Sequence, residues 1–189
     1  MRELLAESGI ALSALDGIAF GSGPGGFTGL RLACGVAQGL AFGSDLPVVG
    51  VGSLEALALA SGQQHVYACI DARMNEVYSA AYETVGGQPV EVLAPAVTPP
   101  ASVPLPEGRN WVGCGDGFAA YHLLLRERLE NYLGSVRPEV MPTAAAVATL
   151  AAPRFARGEG TAAMHAAPLY VRDKVAFTTA ERLARGGAK

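Results

Sequence analysis

The chain has 189 residues, half of them apolar and only 16% charged, with a net charge of −3 and a pI near 5.6. That composition supports a real hydrophobic core in one large domain or two small ones, and it excludes a disordered chain. It also argues against a free-standing nucleic-acid binder: Lys174 and Lys189 are the only lysines and the arginines are scattered, whereas phosphate neutralisation supplies most of such affinity.

In chain order, Met1–Ser8 has the pattern of the last turns of an amphipathic helix, with Gly9 as its C-terminal cap. Gly17–Gly21 reads as a short buried strand, Ser22–Gly26 as a Gly/Pro loop and Phe27–Phe42 as a helix. Leu46–Val51 is the next strand, and Ser53 is placed to cap a helix to Ser61, with Glu55 favourable in its first turn. Strand–helix–strand–helix at this spacing implies parallel pairing through right-handed crossovers. After Gln64 the texture changes. His65–Asp71, Val77–Glu83 and Gln88–Leu93 are three successive strands, joined through Ala72–Glu76 and a Gly86-Gly87 turn into an antiparallel meander. Pro95–Pro106 holds five prolines and is expected to be an irregular, stiff connection. Trp111–Gly115 is a strand, Phe118–Tyr132 a helix, and Thr143 caps a last helix to about Arg157. Pro168–Val171 is apolar enough to dock, and Arg182–Lys189 is expected to fray. The pattern divides the chain into two related units, residues 1–63 and 64–189, with no short-period repeat.

Few stretches carry recognisable chemistry. Gly21-Ser22-Gly23-Pro24-Gly25-Gly26 fits G-x-G-x-x-G between a strand and a helix. Pro24, however, removes one N–H from any pyrophosphate cradle, and the strand ending near Gly52 offers no acidic residue for a ribose. A tight glycine turn packing helix on sheet is the better reading. No Lys lies near the loop, so it is no Walker P-loop. His65, His122 and His165 are isolated, which removes paired-histidine zinc motifs, and no G-x-S-x-G occurs. Cys34, Cys69 and Cys114 are far apart and read as small buried hydrophobes in a reducing compartment. Met1–Glu7 is too charged for a signal peptide, and no run of about 18 apolar residues is available to span a bilayer, so a cytoplasmic protein without membrane association is expected.

Two features point to contacts instead. Gly35, Gly39 and Gly43 recur every fourth residue on the helix from Phe27, and Ala33 and Ala37 form a second small stripe. Such stripes serve equally for packing on the parent sheet and for docking a partner helix. A helix apolar on two sides is buried on two sides, so a partner surface is expected at Phe27, Leu30, Arg31, Cys34, Ala37, Gln38 and Ala41, with Met1–Ser8 beside it. In Asp71-Ala72-Arg73-Met74-Asn75-Glu76, an ion pair from Arg73 to Asp71 or to Glu76 shapes the turn, and a solvent-facing Arg beside a carboxylate can also contact a partner.

Gly21–Arg31, the run Val49-Gly50-Val51-Gly52-Ser53-Leu54, Asp71–Met74 with Glu76-Val77-Tyr78, and Pro168-Leu169-Tyr170-Val171-Arg172 resemble, in order, four motifs of the TsaB (YeaZ) family. The matching loop positions include Gly23, Pro24, Gly25, Thr28, Asp71, Arg73 and Glu76. The resemblance implies an α/β actin-like ATPase or sugar-kinase type fold of two RNase H-like units. The family's opening strands have no counterpart, so the first unit is expected to be N-terminally truncated, with an open sheet edge. It implies a non-catalytic scaffold that activates TsaD, the catalytic subunit that transfers threonylcarbamoyl to the adenosine beside the tRNA anticodon. TsaE joins the pair, a second copy of the chain replaces TsaD when TsaD is absent, and tRNA is reached only indirectly. No catalytic residue, metal ligand or cofactor is expected in this chain. The alternatives are an active small-molecule kinase or ATPase of the same fold, and a glycoprotease-like peptidase.

Overall fold

The computed structural model describes residues 2–172. Its elements are α1 (Arg2–Ser8), β1 (Ile18–Gly23), α2 (Phe27–Ser44), β2 (Val48–Gly52), α3 (Ser53–Ser61), β3 (His65–Arg73), β4 (Glu76–Val85), β5 (Gln88–Thr98), β6 (Trp111–Cys114), α4 (Gly117–Ala120), α5 (His122–Leu129), β7 (Leu133–Arg137) and α6 (Ala144–Ala156).

Two sheets result. β1 and β2 pair in parallel, and a five-stranded sheet runs β5-β4-β3-β6-β7. In the larger sheet the β3–β4–β5 meander is antiparallel, while β6 and β7 add in parallel on the other side of β3. The period-2 pattern of the sequence decides what each face buries. Val66, Ala68, Tyr78, Ala80 and Tyr82 pack with Leu54 and Leu57 of α3 on one face. Tyr67, Cys69, Val77, Ala81 and Trp111 pack with Phe118, Leu125 and Leu129 on the other. In the smaller sheet, Ile18, Phe20 and Val48 face Cys34, Ala37 and Ala41 of α2, while Val49 and Val51 face Ala146, Leu150 and Ala151 of α6. The segment from Thr143 to Thr161 thus returns to the first sheet: α6 packs on β1 and β2, and Thr161 bridges to Val48.

The local chemistry mostly follows the sequence. Gly9 takes a left-handed φ of 68° after α1. Thr143 caps α6, its side chain accepting from the Ala146 amide at 3.1 Å. Several boundaries differ. The α3 cap is Gly52, without a side-chain hydrogen bond, and Ser53 is the first helical residue. β5 runs through Pro95 to Thr98, where an irregular connection was expected. Proline is tolerated there because β5 is an edge strand and its pairing with β4 is irregular around Pro95, the ladder passing from Ser79↔Ala96 to Ala81↔Leu93. The helix expected over Phe118–Tyr132 breaks at Tyr121, whose φ of −129° and ψ of 37° lie outside the helical region. β7 was not foreseen: Leu133-Gly134-Ser135-Val136-Arg137 is a largely exposed edge with little alternation to mark it. The expected fraying at Arg182–Lys189 lies outside the described residues. No helix among the described residues is long and apolar enough to cross a membrane.

Candidate functional site

The helix α2 has two distinct faces. Cys34, Ala37 and Ala41 are buried against β1, β2 and the turn at Ala163. Of the seven residues expected at a partner surface, these three therefore face the chain's own interior. Gln38 Nε2 and Cys34 Sγ both donate to the Ala166 carbonyl, at 3.1 and 3.3 Å. Leu30 is half-buried against Gly23. Phe27 and Arg31 are exposed. The Arg31 guanidinium lies 3.6 Å from the Phe27 ring centre, and its Nε donates to the Tyr170 hydroxyl at 3.2 Å.

The opposite face is open. Leu32, Val36 and Phe42 are 66%, 51% and 82% exposed. Between them Gly35, Gly39 and Gly43 meet nothing within 4 Å of where a Cβ would stand. The glycine stripe was legible in the sequence, but its outward direction was not, and the apolar residues flanking it were missed. Their spacing, opposite Cys34, Ala37 and Ala41 on the helix, was the available signal. α1 is also exposed, with Leu4 at 66%.

A second group of motif residues meets in a cleft of about 420 Å³, lined by Pro24–Phe27, Asp71–Arg73, Asp116 and Leu169–Arg172. The alternative left open at the turn resolves toward Asp71: Arg73 Nη1 lies 2.9 Å from Asp71 Oδ2, and the Arg73 amide donates to Asp71 Oδ1 at 2.8 Å. Glu76 pairs instead with Arg172. The Tyr121 hydroxyl donates to Asp71 Oδ1 at 3.3 Å, and burial together with the neighbouring carboxylate holds it above its ordinary value. Asp116 Oδ1 accepts the Asp71 amide at 3.0 Å. Both carboxylates thus hold backbone amides, and Asp71 also holds the Arg73 guanidinium and the Tyr121 hydroxyl. Among the described residues no group of three or more His, Cys, Asp or Glu is placed to hold a metal ion.

Gly23 explains why the glycine loop is built as it is. At φ 120° it sits in a region that L side chains rarely adopt, and a Cβ there would approach the Leu169 carbonyl to 2.9 Å. Its role is to admit a neighbouring backbone segment. Thr28 lies exposed in the first turn of α2.

An α/β protein of two helix-flanked sheets, with motif loops converging on a cleft between them, fits the actin-like, RNase H-like class. The family model described as TsaD: tRNA N6-adenosine threonylcarbamoyltransferase matches residues 1–179. The chain is 36% identical over 188 residues to the tRNA threonylcarbamoyladenosine biosynthesis protein TsaB of Escherichia coli (strain K12), covering 94% of this chain and 79% of that protein. The TsaB protein of Haemophilus influenzae is 37% identical over 191 residues, covering 93% and 78%. The solved structure of YeaZ from Pseudomonas aeruginosa superposes with a TM-score of 0.82 at 42% identity, covering 89% of this chain and 80% of that one. The chain belongs to the TsaB (YeaZ) family.

Proposed function

We propose that this protein is a non-catalytic subunit of cytoplasmic tRNA threonylcarbamoyladenosine biosynthesis, which binds and activates the transferase TsaD, with TsaE joining the pair. The observation that carries the reading is the exposed apolar face of α2. Three large apolar residues around an open glycine stripe form a surface on which another helix can lie at short distance. Phe27 and Arg31 border this face, Leu30 packs toward Gly23, and the buried Cys34, Ala37 and Ala41 hold the helix from behind. A second copy of the chain takes the face when TsaD is absent. The acidic net charge agrees with tRNA being held by another subunit. A kinase or ATPase reading lacks support at the Asp71–Glu76 turn, where Arg73 and Met74 stand in place of glycines that would let the backbone touch phosphate. A peptidase reading lacks a nucleophile–base pair in the cleft.

The test is a binding titration of TsaD against this chain and its Val36→Glu variant. The reading expects a complex with the parent chain and loss of binding in the variant. Equal affinity for both places the contact elsewhere.

The same reading treats the two sheets as two RNase H-like units with the first one incomplete. β1 has β2 on one side only among the described residues, and its other edge borders a groove of about 1020 Å³ lined mainly by apolar residues of β1 and α6, including Ile18, Ala19, Val147 and Phe155. An added strand there would complete the sheet. A form extended by such strands is expected to unfold at higher temperature; identical transitions for both forms would remove this part of the reading.

A further inference from the structure

We propose that Pro168–Arg172 is a strap that fixes the angle between the two sheets, with Arg172 as its pin on the second sheet. The sheets are joined through α3, through the β7–α6 connection with its buried Val140, and through the strap. One joint is α3, whose Leu54 and Leu57 are wholly buried against the five-stranded sheet while Ala56 packs with β2 and α6. Against the five-stranded sheet that joint is mainly apolar, with Arg137 Nη1 donating to the Ser61 carbonyl at 3.3 Å, and its tie to the first sheet includes the pair of Glu55 with Arg154 of α6. Apolar packing is non-directional, and packed helices can slide by small angles with little loss of buried area.

The strap is a separate joint, and it is directional at both ends. On the first sheet, the Leu169 amide donates to the Ser22 carbonyl at 2.7 Å. The Tyr170 hydroxyl accepts from Arg31 of α2, and its ring lies 6.4 Å from that of Phe27. On the second sheet, Arg172 Nη2 donates to the Ala72 carbonyl at 3.2 Å and to Glu76 Oε2 at 2.5 Å. Its Nη1 lies 3.1 Å from Met74 Sδ, and its guanidinium is 6.0 Å from the Tyr78 ring. From Leu169 to Arg172 the chain spans at most about 10 Å, so there is little slack between the two anchorages.

Two further observations show that Arg172 is more than a surface charge pair. Its side chain is only 13% exposed, and its Nε is buried with no acceptor among the described residues. An exposed ion pair carries no such desolvation cost. The turn it grips holds Arg73, Met74 and Asn75 at φ 61°, 56° and 60°, three successive left-handed non-glycine residues. Such backbone persists where its surroundings over-determine it. Asp71 secures one side through Arg73, and Arg172 secures the other through Ala72, Met74 and Glu76. The strap therefore sets both the angle between the sheets and the shape of this turn, whether or not α2 binds a partner.

Backbone residual dipolar couplings measured by NMR test this on the whole chain. In the parent protein, amides of β1, β2 and α2 and amides of β3, β4 and β6 should fit one shared alignment tensor. In Arg172→Ala the two sets should require separate tensors of unequal magnitude, with chemical shifts unchanged inside both sheets away from the strap and turn. Arg172→Lys, which keeps the charge but not the planar fork, should fall between. A single undiminished tensor in Arg172→Ala would show that the other joints fix the angle without the strap and would overturn the proposal. Should that variant fail to fold, Glu76→Ala removes the pin's carboxylate partner and carries the same two outcomes.

Discussion

Arg154 on α6 reaches Glu55 on α3, with Nη2 at 2.6 Å from Oε1, and its Nη1 donates to the Gly50 carbonyl at 3.2 Å. One side chain near the end of the described chain thereby ties together α3, β2 and α6. Both partners are partly shielded, 26% and 18% exposed, so the pair is worth more than a surface contact. Arg154→Ala should lower the unfolding free energy by about 1–3 kcal/mol in urea titrations, since a charge-assisted hydrogen bond and a backbone partner are both lost. A change under about 0.5 kcal/mol, the range of an ordinary surface substitution, would mean that Glu55 is satisfied by water and by the N-terminus of its own helix.

The two faces of α2 make opposite predictions for neighbouring residues. Ala37 is 3% exposed and packs with Phe20 and Val48. Ala37→Glu therefore puts an unpaired carboxylate into the core, at a cost of several kcal/mol, and should abolish cooperative unfolding. Val36 is half exposed, so Val36→Glu should leave circular dichroism and the thermal transition within about 0.5 kcal/mol of the parent. If both variants unfold alike, the helix is not oriented as described.

How much of this was legible beforehand depended on signal strength. The apolar runs within His65–Asp71 and Val77–Glu83 were strong, and both strands are found there, each a little longer than expected. Of the four family motifs, Val49–Leu54 spans the junction of β2 and α3, and one cleft collects residues from the other three, Pro24–Phe27, Asp71–Arg73 and Leu169–Arg172. The orientation of α2 was not legible, because Gly35 and Ala37 are both small and either could have faced the sheet. β7 was lost because Gly134 and Ser135 break any apolar run. The anchoring role of Arg172 could not be read from a position about a hundred residues from Ala72 and Glu76; it needed the fold.

Burial of weak acids predicts an alkaline limit. The Cys114 thiol is pushed up to about 11 from an ordinary 9.0, chiefly by burial. Burial also raises Cys69, Tyr67 and Tyr82, with nearby carboxylates adding to the effect at Cys69 and Tyr82. These groups keep their protons in the folded state at pH values where the unfolded chain releases them. The unfolded state then binds fewer protons, so stability falls as pH rises. Below 9.0 the thiols are protonated in both states and contribute no slope. Urea midpoints should therefore be insensitive to these groups near neutrality and decline above about pH 9. Midpoints that hold steady to about pH 11 would show that the thiols and phenols reach solvent in the folded protein.

In the proposed role this chain assists a transferase without doing the chemistry. Threonylcarbamoyl transfer to tRNA, measured with the purified chain alone, with TsaD and TsaE alone, and with all three together, tests it directly. The expected result is no modified adenosine from the chain by itself and a large gain in product when it joins the other two. Product from the isolated chain, or a yield unchanged by leaving it out, would contradict the account.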